Sequence, residues 1–126
     1  MTTVLDAPAA LPALDDEIFE MVNLPRKDTG VDGIIHVSTA QGPHGPRVTW
    51  YPDRPGRDAP CLTVTLEASP RVINHGLPNR QAEGVAPQVL AWVELNRPAL
   101  VTFWQDGIAW TRDEVSAFID GLAKRP

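Results

Sequence analysis

Residues Pro87 to Trp110, PQVLAWVELNRPALVTFWQDGIAW, constrain this chain more than any other stretch. On a helical wheel Val89, Trp92, Val93, Leu100, Phe103 and Trp104 fall in one stripe roughly 120° wide, the width of a helix face against a core. The stripe survives only if the helix runs through Pro98. That is sterically allowed, because Pro98 points about 180° away from the stripe, so the carbonyl it orphans on Glu94 faces water. The competing reading is a break at Asn96–Arg97 that gives two shorter helices. Asn96 is the one polar residue inside the stripe, so it either finds a partner in the core or marks that break.

The helix ends and restarts on local signals. Gly107 suits a left-handed position after the last turn, with Ile108 folding back on Phe103. Thr111-Arg-Asp-Glu114 reads as a capping box, with Trp110 and Val115 as the hydrophobic staple around it. Val115, Phe118, Ile119 and Leu122 then carry the spacing of a second helix. Upstream, the pattern changes to period two. Ile35 and Val37 alternate with Ile34, His36 and Ser38. Val48 and Trp50 alternate with Arg47, Thr49 and Tyr51, and Leu62, Val64 and Leu66 alternate with Cys61, Thr63, Thr65 and Glu67. A fourth short strand is read at Arg71 to Asn74. Each set predicts an antiparallel strand with one face covered. Both helices need an apolar surface, and these strands supply it. The expected fold is therefore α+β, an antiparallel four-stranded meander with two C-terminal helices packed on one face. Gln41 to Pro46 and the proline-rich Pro52 to Pro60 read as connections, Lys27 to Gly33 reads as a turn, and His75 to Asn79 ends the sheet.

Length allows one domain, expected over residues 21–126, with residues 1–20 as a disordered or weakly helical extension. Overlapping the end of that extension, Leu14 to Asn23 reads as a short helix, with Asp15 as cap and Ile18, Met21 and Val22 on one side. The formal charge of −5 is unevenly placed. Residues 1–20 carry five acids and no base, residues 21–80 seven bases against five acids, and residues 81–126 six acids against four bases. An overall negative charge disfavours a general polyanion binder, while the weakly basic middle leaves a local anionic contact open. Cys61 stands alone, so no internal disulfide or cysteine-based zinc site forms, and a reducing cytoplasm is the natural compartment. No apolar run reaches membrane-spanning length.

The chemistry is mostly excluded by spacing. His36, His44 and His75 lack any metal-ligand spacing, so no metal or other cofactor is expected. The glycines near His44 lie between two strands and not before a helix, so they do not form a phosphate cradle. Cys61 has no neighbouring base. What remains is the outer sheet face: His36, Ser38, Arg47, Thr49, Tyr51, Thr63, Thr65 and the adjoining Arg71 and His75, with Arg54 and Arg57 in the next loop. The expected binding residues are thus His36, His44, Arg47, Arg54, Arg57, Arg71 and His75. With no convergent catalytic set, the leading expectation is a non-enzymatic binding protein that meets a protein partner or itself. The alternative is a metal-independent ribonuclease or RNA-binding protein using His36, Arg47 and Tyr51 for acid–base work and phosphate charge stabilisation. A purely structural homodimer is a third reading. DNA reading by the last helix is disfavoured, because Asp113 and Glu114 stand where phosphates would sit.

The run Val89-Leu-Ala-Trp-Val-Glu-Leu-Asn-Arg97, with Leu100 and Phe103-Trp104, resembles the W-[IV]-E-L-[NH]-R helix of small bacterial proteins of unknown function. One such family often carries a PPHFHV strand and tends to sit in toxin–antitoxin-like gene pairs. Here His44 matches the first histidine of that strand, and Pro46-Arg47 stands where the second would be. A closer likeness is to short alphaproteobacterial proteins opening with MVNLP, as Met21 to Pro25 does. It covers residues 21–126 and implies that residues 1–20 are an extension. These resemblances imply a fold and a paired-system context, and name no activity.

Overall fold

A computed structural model describes residues 21–40 and 45–126. Five antiparallel strands form one meander in sequence order: β1 Met21–Leu24, β2 Ile34–Ser38, β3 Arg47–Tyr51, β4 Cys61–Thr65 and β5 Val72–His75. The expected α+β class holds, with one strand more than the four anticipated. The extra strand is β1, where the end of a short helix was expected. Leu24 pairs with Ile35 and Val22 with Val37, so MVNL extends the apolar row of β2 across a further strand. Burying Leu24 against that row outweighs a weak local helix preference. The remainder of that expected helix, the extension over residues 1–20 and the loop residues 41–44 with His44 lie outside the described residues. The turn after β1 contains a single helical turn, α1 Arg26–Thr29, closed by Gly30 at φ +78°.

The register sorts the side chains as period-two alternation requires. Ile35, Val37, Val48, Trp50, Leu62, Val64 and Leu66 are all buried on the inner face. Gly33 completes that face from a turn. It sits at φ +90°, and a Cβ there would run into the Tyr51 carbonyl and the Trp50 indole. That indole donates to the Asp32 carbonyl, which ties the turn to β3. Asn74 anchors the exit from β5, since its side-chain amide both donates to and accepts from the backbone of Leu77.

Across the inner face lies α2, one unbroken helix over Asn79–Asp106. It passes through Pro87 and Pro98, and both Glu94 and Pro98 are exposed, so the carbonyl left without its helical donor can reach water. It begins eight residues before the expected Pro87. The buried positions Ala82, Val85, Val89, Trp92, Val93, Asn96, Leu100 and Phe103 continue the same stripe back through those turns. Trp104, expected within it, is only half-buried. Asn96 resolves as a core partner and not as a break. Its amide donates to the Ala123 carbonyl at 2.9 Å and accepts from the Ala123 N–H at 2.8 Å, clamping the C-terminal segment to the helix.

At the helix end, one expectation is corrected. Gly107 has φ −59° and ψ −26°, a right-handed conformation, and the chain continues into a 3-10 turn over Gly107–Ala109. Glycine is required there for space: an added Cβ would lie 2.6 Å from the Phe103 ring and 3.0 Å from Thr39. Ile108 is 50% exposed and does not fold back on Phe103. The final helix, α3 Arg112–Gly121, starts with the full capping box, Thr111 and Glu114 each accepting the other's backbone N–H. It docks on α2 through an aromatic cluster. Phe103 and Phe118 stack at 4.7 Å, and Trp110 sits tilted against both rings. Among the described residues no helix is long and apolar enough to cross a membrane.

Candidate functional site

With one face of the meander covered by α2, the polar positions of the strands share the opposite face. Hydrogen-bonded register lines them up in rows. One row runs Asn23, His36, Thr49, Thr63, Ile73 across all five strands. A second pairs Arg47 with Thr65, and Cys61 stands opposite His75. Two neighbouring strands therefore bring together side chains that are distant in sequence.

The face is not uniform. Over β3, β4 and β5 it hollows into a groove of about 560 Å³, lined by Arg47, Thr49, Tyr51, Cys61, Thr63, Ile73 and His75. The loop after β3 folds over one side and adds Arg57, Asp58 and Ala59. Among the described residues Arg47 and Arg57 form no ion pair with a carboxylate, whereas Arg71 is held to Glu67 at 3.1 Å. Two guanidinium groups without a carboxylate partner (Arg47 donates only to the Gly45 carbonyl, at 3.3 Å), a histidine, a phenol, the Thr49 hydroxyl and that of the buried Thr63 make a hollow rich in donors. Such a hollow binds carboxylate or phosphate oxygens. Asp58 is its one acidic member.

Four of the expected binding and catalytic residues, Arg47, Tyr51, Arg57 and His75, are therefore brought together. Three are not. His36 lies on β2, outside the groove, with Nδ1 2.8 Å from Asn23 Oδ1. Arg54 turns to a separate hollow beside Asn23, Ile34, Asp53 and Pro55. Arg71 precedes β5, is exposed and is already paired. Thr49, Thr63 and Ile73 complete the groove. The alternation of the strands marked the threonines as outward. Ile73 carried no polar signal, and only its pairing with Thr63 reveals its place.

The electrostatics argue against a thiolate nucleophile. Burial pushes the Cys61 thiol above its ordinary value, and a hydrogen bond with Tyr51 only partly offsets this. Burial likewise raises the Tyr51 phenol, helped by Cys61. Both groups are neutral at physiological pH. Among the described residues no three His, Cys, Asp or Glu side chains are grouped to hold a metal ion.

No family model, no curated protein and no solved structure matches this chain. The functional reading therefore rests on the groove itself.

His36 also provides a pH test of the sheet. Burial, then the positive charge of Arg47, lowers its pKa below the ordinary 6.5. As pH falls, the unfolded chain takes up the proton first, so this site favours unfolding. Its contribution is flat above the unfolded value, and stability is lost as pH falls from about 6.5 towards the lower folded value. Urea midpoints measured from pH 8 to pH 5 should thus fall more for the wild-type chain than for His36→Gln. Parallel pH curves would contradict the assignment.

Proposed function

We propose that this protein is a small cytoplasmic binding protein whose β3–β4–β5 groove takes an acidic segment of a protein partner, as one half of a toxin–antitoxin-like pair. The observation that carries this reading is the convergence of Arg47 and Arg57, neither spent on a carboxylate, with His75 and Tyr51 in one concavity. Desolvated guanidinium–carboxylate contacts give an interface its specificity and its association rate. The lone Cys61 suits a reducing compartment, and the resemblance of the Trp92-bearing helix supports the paired-system context.

A metal-independent ribonuclease is the weaker reading. Acid–base catalysis on one phosphate needs two proton-transfer groups within reach of the same atoms. The three side chains that reading uses do not share the groove: Arg47 and Tyr51 line it, whereas His36 stands outside it on β2 with Nδ1 2.8 Å from Asn23 Oδ1.

The test is copurification at native expression, comparing the wild-type chain with the double variant Arg47→Glu/Arg57→Glu. A stoichiometric protein partner should be retained by the wild type and lost with the double variant. Equal retention by both would contradict the groove. Growth arrest on induction, relieved by Arg47→Ala, would favour the ribonuclease instead.

A further inference from the structure

The charge of this chain is divided in a way that bears on the groove. Residues 21–126 hold eleven acids and eleven bases, so the entire formal charge of −5 is carried by residues 1–20. Those acids are Asp6, Asp15, Asp16, Glu17 and Glu20, with no base among them. The described part is neutral as a whole, yet it concentrates in one concavity two arginines that no described carboxylate pairs with.

The acidic segment is tethered within chain reach of that concavity. It joins the sheet at Met21, the first residue of the edge strand β1. Met21 pairs with Ser38, so its side chain belongs to the outer face, where it is 50% exposed. From β1 the groove begins two strands away at β3 and is centred on β4, about 14 Å across the sheet. Six extended residues span about 20 Å, so the stretch from Asp15 to Glu20 is long enough to reach it. Two exposed apolar side chains, Met21 and Ile73, flank the crossing on the same face. Ile18 and Phe19 lie within the acidic stretch and offer apolar partners for them.

We infer that the acidic segment ending at Glu20 docks in cis on the β3–β4–β5 groove and is displaced when the partner binds. This deepens the reading given above and rests on it, because the same arginines would serve both occupants. A tethered competitor acts at an effective concentration of the order of millimolar when its linker spans the sites. Even a weak contact in cis therefore raises the threshold a partner must reach, and favours partners with more acid or better shape than the segment itself.

The groove contains its own reporter, since Cys61 lines its wall and is the only cysteine in the chain. The experiment measures alkylation of Cys61 by the neutral reagent iodoacetamide at low salt. It compares the wild-type full chain with the full chain carrying Asp6→Asn, Asp15→Asn, Asp16→Asn, Glu17→Gln and Glu20→Gln. The wild type should react more slowly by about threefold or more, the protection reached once the effective concentration is about twice the Kd of the contact. The gap should be independent of protein concentration and should close in about 0.5 M sodium chloride, where charges are screened. A synthetic peptide of residues 1–20 should restore protection to the neutralised chain in trans. Equal rates for the two chains would overturn the inference. So would a gap that grows with protein concentration, which would make the occupant a second copy, or a gap indifferent to salt. The two readings fail separately. Protection of Cys61 with no captured partner leaves the cis contact standing without the partner, and a captured partner with unprotected Cys61 does the reverse.

Discussion

Truncating Phe103 to alanine should destabilise the protein by about 3–5 kcal/mol, the range for deleting a buried aromatic from a core that cannot fully collapse. Phe103 is wholly buried and does three things at once. It closes the apolar stripe of α2, stacks on Phe118 of α3, and lies against Gly107 closely enough to exclude any side chain there. Neighbouring backbone cannot move in to fill the space, because the Gly107 turn is fixed by a hydrogen bond from Trp110 N–H to the Gly107 carbonyl at 3.0 Å. Against a total stability of about 5–15 kcal/mol for an ordinary domain, that loss brings the chain near its folding threshold. Urea unfolding followed by tryptophan fluorescence checks it, with Trp110 reporting the loosened cluster. A loss under about 1 kcal/mol would mean that α3 is held by something other than the aromatic cluster.

Asn96→Ala is the second large effect, about 2–3 kcal/mol. Two bonds join its amide to the backbone of Ala123, and a third runs from its Nδ2 to the Trp92 carbonyl at 3.0 Å. Each hydrogen bond contributes about 1 kcal/mol net, and the Ala123 groups left behind lose a partner in a half-buried site. The consequence should spread along the C-terminal segment. Arg125 N–H bonds to the Thr29 carbonyl at 2.7 Å, and Gly30 is so close to the Arg125 backbone that a Cβ would overlap it. Releasing Ala123 should therefore release Arg125, and the amides of both residues should exchange faster in the variant. Unchanged exchange at Arg125 would show that α1 holds the segment without help from Asn96.

These two residues also show which parts of the molecule were legible in the sequence. Phe103 belonged to a periodic stripe, and the Thr111–Glu114 capping box is complete within four residues. Signals this local survive any tertiary context. Asn96 was visible as an anomaly in the stripe, but its partner lies 27 residues away, so only the choice between clamp and break could be framed. The first two turns of α2 were hidden by Gly84 and Pro87, residues that lower helix propensity without stopping a helix whose Ala82 and Val85 are buried. β1 was missed because MVNL is too short for its alternation to outweigh a helical reading. Its strand character comes from pairing with Ile34–Ser38. Gly107 was read for its backbone freedom, whereas it is needed for its lack of volume.

The candidate site followed the same rule. Alternation assigned the side chains of each strand to its two faces, because period two fixes which of them share a side. It did not show that Thr63 and Thr65 on the outer side of β4 are buried. Nor could it say which side chains gather. That depended on the loop from Pro52 to Pro60, which carries Arg57 over the groove and leaves Arg54 at another hollow. It depended also on strand order, which sets His36 apart from His75.

α2 covers one side of the meander, and the proposed partner would meet the other. NMR cross-saturation from the captured partner into the isotope-labelled chain tests it most directly. The partner should saturate Thr49, Tyr51, Thr63, Ile73 and His75. Saturation confined instead to Ala99, Ala117 and Gly121, which line the hollow between α2 and α3, would contradict it.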